Sequence, residues 1–286
     1  MAPRELAFTK MHGAGNDFVV LDGIRDELPP LEPLARRLLD RRFGVGGDQL
    51  LVARPSSQAD FRMEIHNPDG SRAEMCANGI RAFLVWLHRH GHTDREEVSV
   101  ETLAGVVRPR LAGPGLVTVD MGRPILEPEK IPTRLGAGGE GPVLDVPLEV
   151  DGERFVVSSV SMGNPHCVIE VEDVDRAPVE RVGPRIEHHP AFPNRVNVEF
   201  VQVVARDRVR QRTWERGTGE TLACGSGACA VAVASILRGR TDRALAVELR
   251  GGTLEIRWPA PDASVMMTGP AVEVFRGWIA LDDEGG

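Results

Sequence analysis

Residues Arg212 to Ala230 read Arg-Thr-Trp-Glu-Arg-Gly-Thr-Gly-Glu-Thr-Leu-Ala-Cys-Gly-Ser-Gly-Ala-Cys-Ala. A strand-like segment passes through a glycine-rich turn into Cys224, and behind the cysteine Ala228 to Leu237 is apolar apart from Ser235. A helix apolar on all sides belongs in the middle of a domain. Its first turn carries unpaired N–H groups and the positive end of the helix dipole, so Cys224 is expected to ionise more readily than a free thiol.

The same arrangement occurs earlier in the chain. Phe61 to Ala82 contains a strand, the turn Asn67-Pro68-Asp69-Gly70, and then Cys76 opening a helix that runs to about His90. Cys76 and Cys224 are 148 positions apart, as are Gly15-Asn16 and Gly163-Asn164, Gln49 and Asn197, and Asn67 and Glu215. Leu31, Leu34 and Leu38 fall on Val179, Val182 and Ile186 at that offset without a gap. So long a period indicates a duplicated domain rather than a solenoid of short repeats.

The predicted fold is α+β: two pseudo-symmetric duplicated domains, each a β-barrel-like sheet around a central helix, with the active site in the cleft between them. The N-terminal half is expected over residues 1–122, joined by the C-terminal segment 273–286, and the C-terminal half over 123–272. Pro124 to Gly141, rich in proline and glycine, reads as the linker. The second surface helix looks interrupted by Gly183-Pro184.

Composition narrows the chemistry. The 286 residues carry a formal charge of −8 and no basic cluster, which argues against a nucleic-acid surface. The chain has only two lysines, Lys10 and Lys130; Lys130 sits among prolines, away from any context for a pyridoxal phosphate Schiff base. Gly44 to Gln49 lacks the Lys-Ser/Thr ending of a phosphate loop. His88, His90 and His92 are too closely spaced to ligate a metal from one helix face. No signal-peptide pattern and no membrane-length apolar run is found, so the expected location is the cytoplasm. Cys76, Cys167, Cys224 and Cys229 form no Cys-x-x-Cys pair and are expected to be reduced, Cys167 and Cys229 as packing residues.

Two thiols at symmetric helix starts suit a reaction that needs a base on one face of a carbon and an acid on the other. The α-proton of an amino acid is far less acidic than a thiol, so the developing carbanion must be stabilised. Helix-start N–H groups near Ala77, Asn78, Gly225 and Ser226 could hold the substrate carboxylate as its charge grows. Neither a metal nor an organic cofactor is then required.

Met11-His12-Gly13-Ala14-Gly15-Asn16-Asp17-Phe18, Cys76-Ala77-Asn78-Gly79, Gly163-Asn164-Pro165-His166 and Glu215 to Thr221 with Cys224-Gly225-Ser226-Gly227 together resemble the diaminopimelate epimerase family. The resemblance implies a cofactor-independent homodimeric isomerase that interconverts LL- and meso-diaminopimelate in lysine and peptidoglycan precursor synthesis. It implies Cys224 as base toward the LL isomer and Cys76 as the opposing acid. Asn16, Gln49, Asn67, Asn164, Asn197, Glu215 and Arg216 would grip the substrate, and His166 and Glu215 would tune the thiols. Alanine at position 77, where the family usually has glycine, should keep ordinary helix-start angles. The chain has no tyrosine, so Phe275 would replace a dimer-contact tyrosine.

The alternatives are a proline or hydroxyproline racemase, a thiol redox protein and a binding protein. Asn67, Asn164, Asn197 and Arg216 favour a substrate with a second charged end.

Overall fold

The computed structural model describes residues 4–136 and 141–281. The predicted linker therefore lies partly outside the described residues. The chain divides into two compact units, one drawn from Met1–Val119 and Gly269–Gly286, the other from Asp120–Thr268.

The first unit holds a seven-stranded sheet in the order Val272–Leu281, Arg4–Gly13, Asn16–Asp22, Gln49–Arg54, Phe61–His66, Val100–Thr102, Gly105–Val107. Pairing is antiparallel except where Asn16–Asp22 meets Gln49–Arg54 and where Phe61–His66 meets Val100–Thr102. A parallel step needs a long crossover. Helix α1 (Leu31–Leu39) lies in the first crossover and helix α2 (Ala77–Arg89) in the second.

Side-chain alternation sends successive residues to opposite faces. Val19, Leu21, Leu50 and Val52 cluster with Leu34, Ala35 and Leu38 of α1. The intervening positions serve α2, which packs on the same strands and buries Asn78 to Leu87.

The second unit repeats this plan. Helices α3 (Val179–Glu187) and α4 (Gly225–Leu237) have the bounds of α1 and α2 moved by 148 positions. The strands Val143–Val150, Glu153–Ser161, Pro165–Glu170, Asn197–Ala205, Arg208–Glu215, Ala244–Leu249 and Gly252–Arg257 follow the same sequence of antiparallel and parallel pairings. Register is kept as well: Phe18 pairs Gln49 in one unit, and His166 pairs Asn197 in the other. The duplication is thus present in secondary structure, pairing and register together.

Two expectations change. The sheets are mixed and open rather than barrels, because each ends in edge strands instead of returning on itself. Helix α4 begins at Gly225 with Cys224 as its cap, as its sequence led us to expect. Helix α3 passes through Gly183-Pro184 unbroken. A Cβ at Gly183 would lie 2.6 Å from Cγ of Trp214, so the glycine lets the helix seat against that indole. Packing there outweighs the local breaker signal. Gly183→Ala is expected to destabilise the protein by about 1–3 kcal/mol through overpacking, read as a lower urea midpoint at unchanged slope.

No helix among the described residues is long and apolar enough to cross a membrane.

Candidate active site

Cys76 and Cys224 occupy the N-cap positions of α2 and α4, both with extended backbone. Cys76 Sγ accepts from Gly79 N–H at 3.3 Å and Cys224 Sγ from Gly227 N–H at 3.4 Å. Ala77 and Asn78, and likewise Gly225 and Ser226, are first-turn residues whose N–H groups have no carbonyl to reach within their own helix. Ala77 avoids positive φ, as alanine should.

The surroundings of the two thiols differ although their scaffolds match. Beneath the start of α2 lies buried Leu51, whose Cδ2 stands 3.3 Å from where a Cβ on Gly79 would be, and Phe18 is buried as well. The positions 148 residues on are His166 and Glu199, both buried, and Glu199 Oε1 stands 2.7 Å from where a Cβ on Gly227 would be. His166 Nδ1 is 2.8 Å from Glu199 Oε1, and His166 Nε2 is 3.1 Å from Asn164 Oδ1. His166 thus lies between two oxygens, one of them on a buried carboxylate.

Cys224 corrects the expectation of an acidic thiol. Burial pushes it well above the usual range, and the carboxylates of Glu215 and Glu199 push it further; Ser226 and the Gly227 N–H pull it down by less. The helix-start effect is present and is overwhelmed. Burial also raises Glu215, whose carboxylate accepts from Thr221 Oγ1 at 2.5 Å and hydrogen-bonds Cys224. Those partners suit a thiol-tuning Glu215 better than one paired with a substrate ammonium.

Asn16 Oδ1 accepts from the Cys76 thiol at 3.6 Å and from Asn78 Nδ2 at 3.3 Å. Gln49 Nε2 donates to Asn67 Oδ1 at 3.1 Å, while Gln49 Oε1 is buried without a hydrogen-bond partner, an acceptor open to a ligand. Asn197 Oδ1 receives the Arg216 N–H at 2.9 Å and its Nδ2 donates to Pro165 O. The exposed Arg216 guanidinium donates to Asn194 O at 3.1 Å. Asn16 and Asn78 thus stand at Cys76, Gln49 pairs with Asn67, Asn164 pairs with His166, and Glu215 stands at Cys224.

Cys167 lies in the core against α3 and Cys229 is buried inside α4. His90 and His92 both stack on Trp86, at 4.7 and 5.0 Å between ring centroids.

Sequence reasoning missed Glu199, Thr221, Glu187 and Asp48. Glu187 is buried, receiving Trp214 Nε1 at 2.8 Å and the Gly217 N–H at 2.9 Å, so it anchors the turn after Arg216. A signal existed for Glu199: the one carboxylate in the strand Asn197–Ala205, set among the buried apolar Val198, Phe200 and Val201.

A family model described as diaminopimelate epimerase matches residues 8–127 and 158–274. A diaminopimelate epimerase of Moorella thermoacetica is 55% identical over 280 residues, covering 96% of this chain and 99% of that protein. One of Leptospira biflexa is 48% identical over 282 residues, covering 97% and 100%. Among solved structures, a hydroxyproline epimerase from Agrobacterium vitis aligns with a TM-score of 0.67 at 17% identity over 98% of this chain and 94% of that one. A PhzF-family phenazine biosynthesis protein from Bacillus anthracis gives 0.69 at 16% identity over 97% and 100%. Those two likenesses are of fold. The family match reaches into both duplicated halves and the relatives align over nearly their whole length, so the chain belongs to the diaminopimelate epimerase family.

Proposed function

We propose that this chain epimerises LL-diaminopimelate to meso-diaminopimelate and back with two cysteines, one acting on each face of the α-carbon. The observation that carries the reading is the pair of thiols at equivalent N-caps of duplicated helices, each with its sulfur on the N–H three residues on.

From the LL isomer, Cys224 as thiolate takes the α-proton while the C–H electron pair moves into the carboxylate as an enediolate. The Cys76 S–H then delivers its proton to the opposite face. One proton leaves and one arrives, so the enzyme ends with Cys76 ionised and Cys224 protonated, ready for the reverse reaction. The first-turn N–H groups of Ala77, Asn78, Gly225 and Ser226 would hold the α-carboxylate, where growing charge is stabilised by donors already in place. Asn16, Gln49, Asn67, Asn164, Asn197 and Arg216 would fix the remaining groups, with the unpartnered Gln49 Oε1 as an acceptor for an ammonium. Residues 1–122 with 273–286, and 123–272, would be the two halves of the duplicated enzyme.

A neutral, raised Cys224 thiol means that ionisation has to be won, and the sign of the pH dependence follows. Turnover that uses Cys224 as base should rise with pH. Removing a neighbouring negative charge lets the thiol ionise at lower pH. Glu215→Gln is therefore expected to move the rising limb of kcat/KM for LL-diaminopimelate down by about one pH unit, whatever its effect on the plateau; a limb that stays or moves up would remove Glu215 from that role.

On this reading the chain works in the cytoplasm as a homodimer. Val272–Leu281 is an edge strand that exposes Val272, Val274, Phe275 and Trp278, the last at 70%, and such an edge invites pairing. Phe275 meets Phe8 edge-on at 6.0 Å.

The test of function is α-proton exchange in deuterated water, with diaminopimelate and with proline. Inversion of diaminopimelate accompanied by solvent deuterium supports the reading; comparable turnover of proline would transfer it to the racemases, and exchange with neither would end it.

A further inference from the structure

The N-terminal thiol sits at the end of a hydrogen-bonded chain whose direction is fixed at both ends. Arg81, fully buried, donates from Nη2 to Asn78 Oδ1 at 2.7 Å. Asn78 Nδ2 donates to Asn16 Oδ1 at 3.3 Å, and Asn16 Nδ2 donates to Asp48 Oδ2 at 2.7 Å. Asp48 is held in turn by Arg41 Nη2 on Oδ1 at 2.8 Å and by the Asp17 N–H on Oδ2 at 3.1 Å. A guanidinium only donates and a carboxylate only accepts, so neither amide between them can turn over without setting donor against donor or acceptor against acceptor. The Asn16 carbonyl oxygen must face Cys76, and the thiol donates to it.

We propose that Asp48 is a positioning residue that clamps the Asn16 amide with its oxygen toward Cys76, holding that thiol protonated as the acid of the pair. A carbonyl oxygen rewards S–H and repels S−. The clamp exists in one half only. At the offset of 148, Arg41, Asp48, Asn78 and Arg81 correspond to His189, Val196, Ser226 and Cys229, and Asn164 turns its oxygen to His166 instead. The duplicated scaffold thus surrounds its two thiols with different partners.

The inference rests on the two-cysteine reading for its catalytic meaning, but its test does not need turnover. The rate of iodoacetamide alkylation at each cysteine is measured by peptide mass spectrometry on the full chain at neutral pH. Asp48→Leu, close in shape and without an acceptor, is expected to speed alkylation of Cys76 about tenfold, the worth of one hydrogen bond to a group that ionises, and to leave Cys224 unchanged. Asp48→Asn keeps an oxygen for Asn16 and should behave as the wild type. Asn16→Ala should reproduce Asp48→Leu, and the double variant should add nothing further.

An unchanged Cys76 rate in Asp48→Leu overturns the proposal. So does an equal rise in Asp48→Asn, which would trace the effect to lost charge, and so does a rise at every cysteine with a lowered Tm, which would trace it to a loosened fold. Wild-type protein that shows the expected alkylation pattern but no diaminopimelate exchange would leave the clamp standing and remove the epimerase reading alone.

Discussion

Cys224→Ala is expected to lower kcat/KM for inversion of LL-diaminopimelate by about a thousandfold or more, within the range that a positioned acid or base contributes. Cys76→Ala should fall equally far, because inversion needs both a proton acceptor and a donor on opposite faces. Exchange without inversion separates the two roles. With Cys76 removed, Cys224 can still take and return the α-proton on its own face, so any residual deuterium uptake should appear in LL-diaminopimelate that keeps its configuration. With Cys224 removed, residual uptake should be confined to the meso isomer. Proton NMR in deuterated water, with chiral analysis of the product, reads both. Substantial inversion in either variant would show that a single thiol or another group suffices, and the two-cysteine reading would fall.

The second large effect concerns Glu199. Its carboxylate is fully buried beneath the first turn of α4, 2.8 Å from His166 Nδ1, and burial raises it while His166 holds it down. Breaking a buried pair by removing one partner leaves the other uncompensated, at a cost of about 3–5 kcal/mol. Glu199→Leu should therefore destabilise the protein by about that amount, seen in equilibrium urea unfolding. Glu199→Gln retains shape and an oxygen for His166, and should cost much less. Turnover should suffer in both, since His166 also holds Asn164 and the carboxylate lies under the helix that presents Cys224. If Glu199→Leu unfolds no more easily than the wild type, the pair is not a structural unit.

The duplication was readable because it depends only on spacing: Cys76 and Cys224, Gln49 and Asn197, and the leucines of α1 keep one offset, and the helices obey it at both ends. The capping cysteines were readable for a related reason, since a turn, a cysteine and an apolar run are all local. What escaped depends on register. Glu199 meets His166 across neighbouring strands, and Asp48 meets Asn16 from another loop; such partnerships arise only when the strands are paired. Cys224 was misjudged for the same reason, because its local helix start is visible in sequence and the carboxylates around it are not. Sheet closure, too, is a property of the whole sheet rather than of any strand's pattern.

The strand Val272–Leu281 runs antiparallel to Arg4–Gly13 from Arg4 against Leu281 to His12 against Val272. The whole of the second unit lies between these two partners along the chain. The second unit, drawn from a continuous run of chain, can assemble while synthesis continues. The first must wait with Arg4–Gly13 lacking its outer neighbour until Val272–Leu281 emerges, which costs the closure of a loop that contains the whole second unit. Such long-range pairing is slow. In refolding from urea, the protection of amide hydrogens in Arg4–Gly13 that point to this last strand should therefore appear after that of α4.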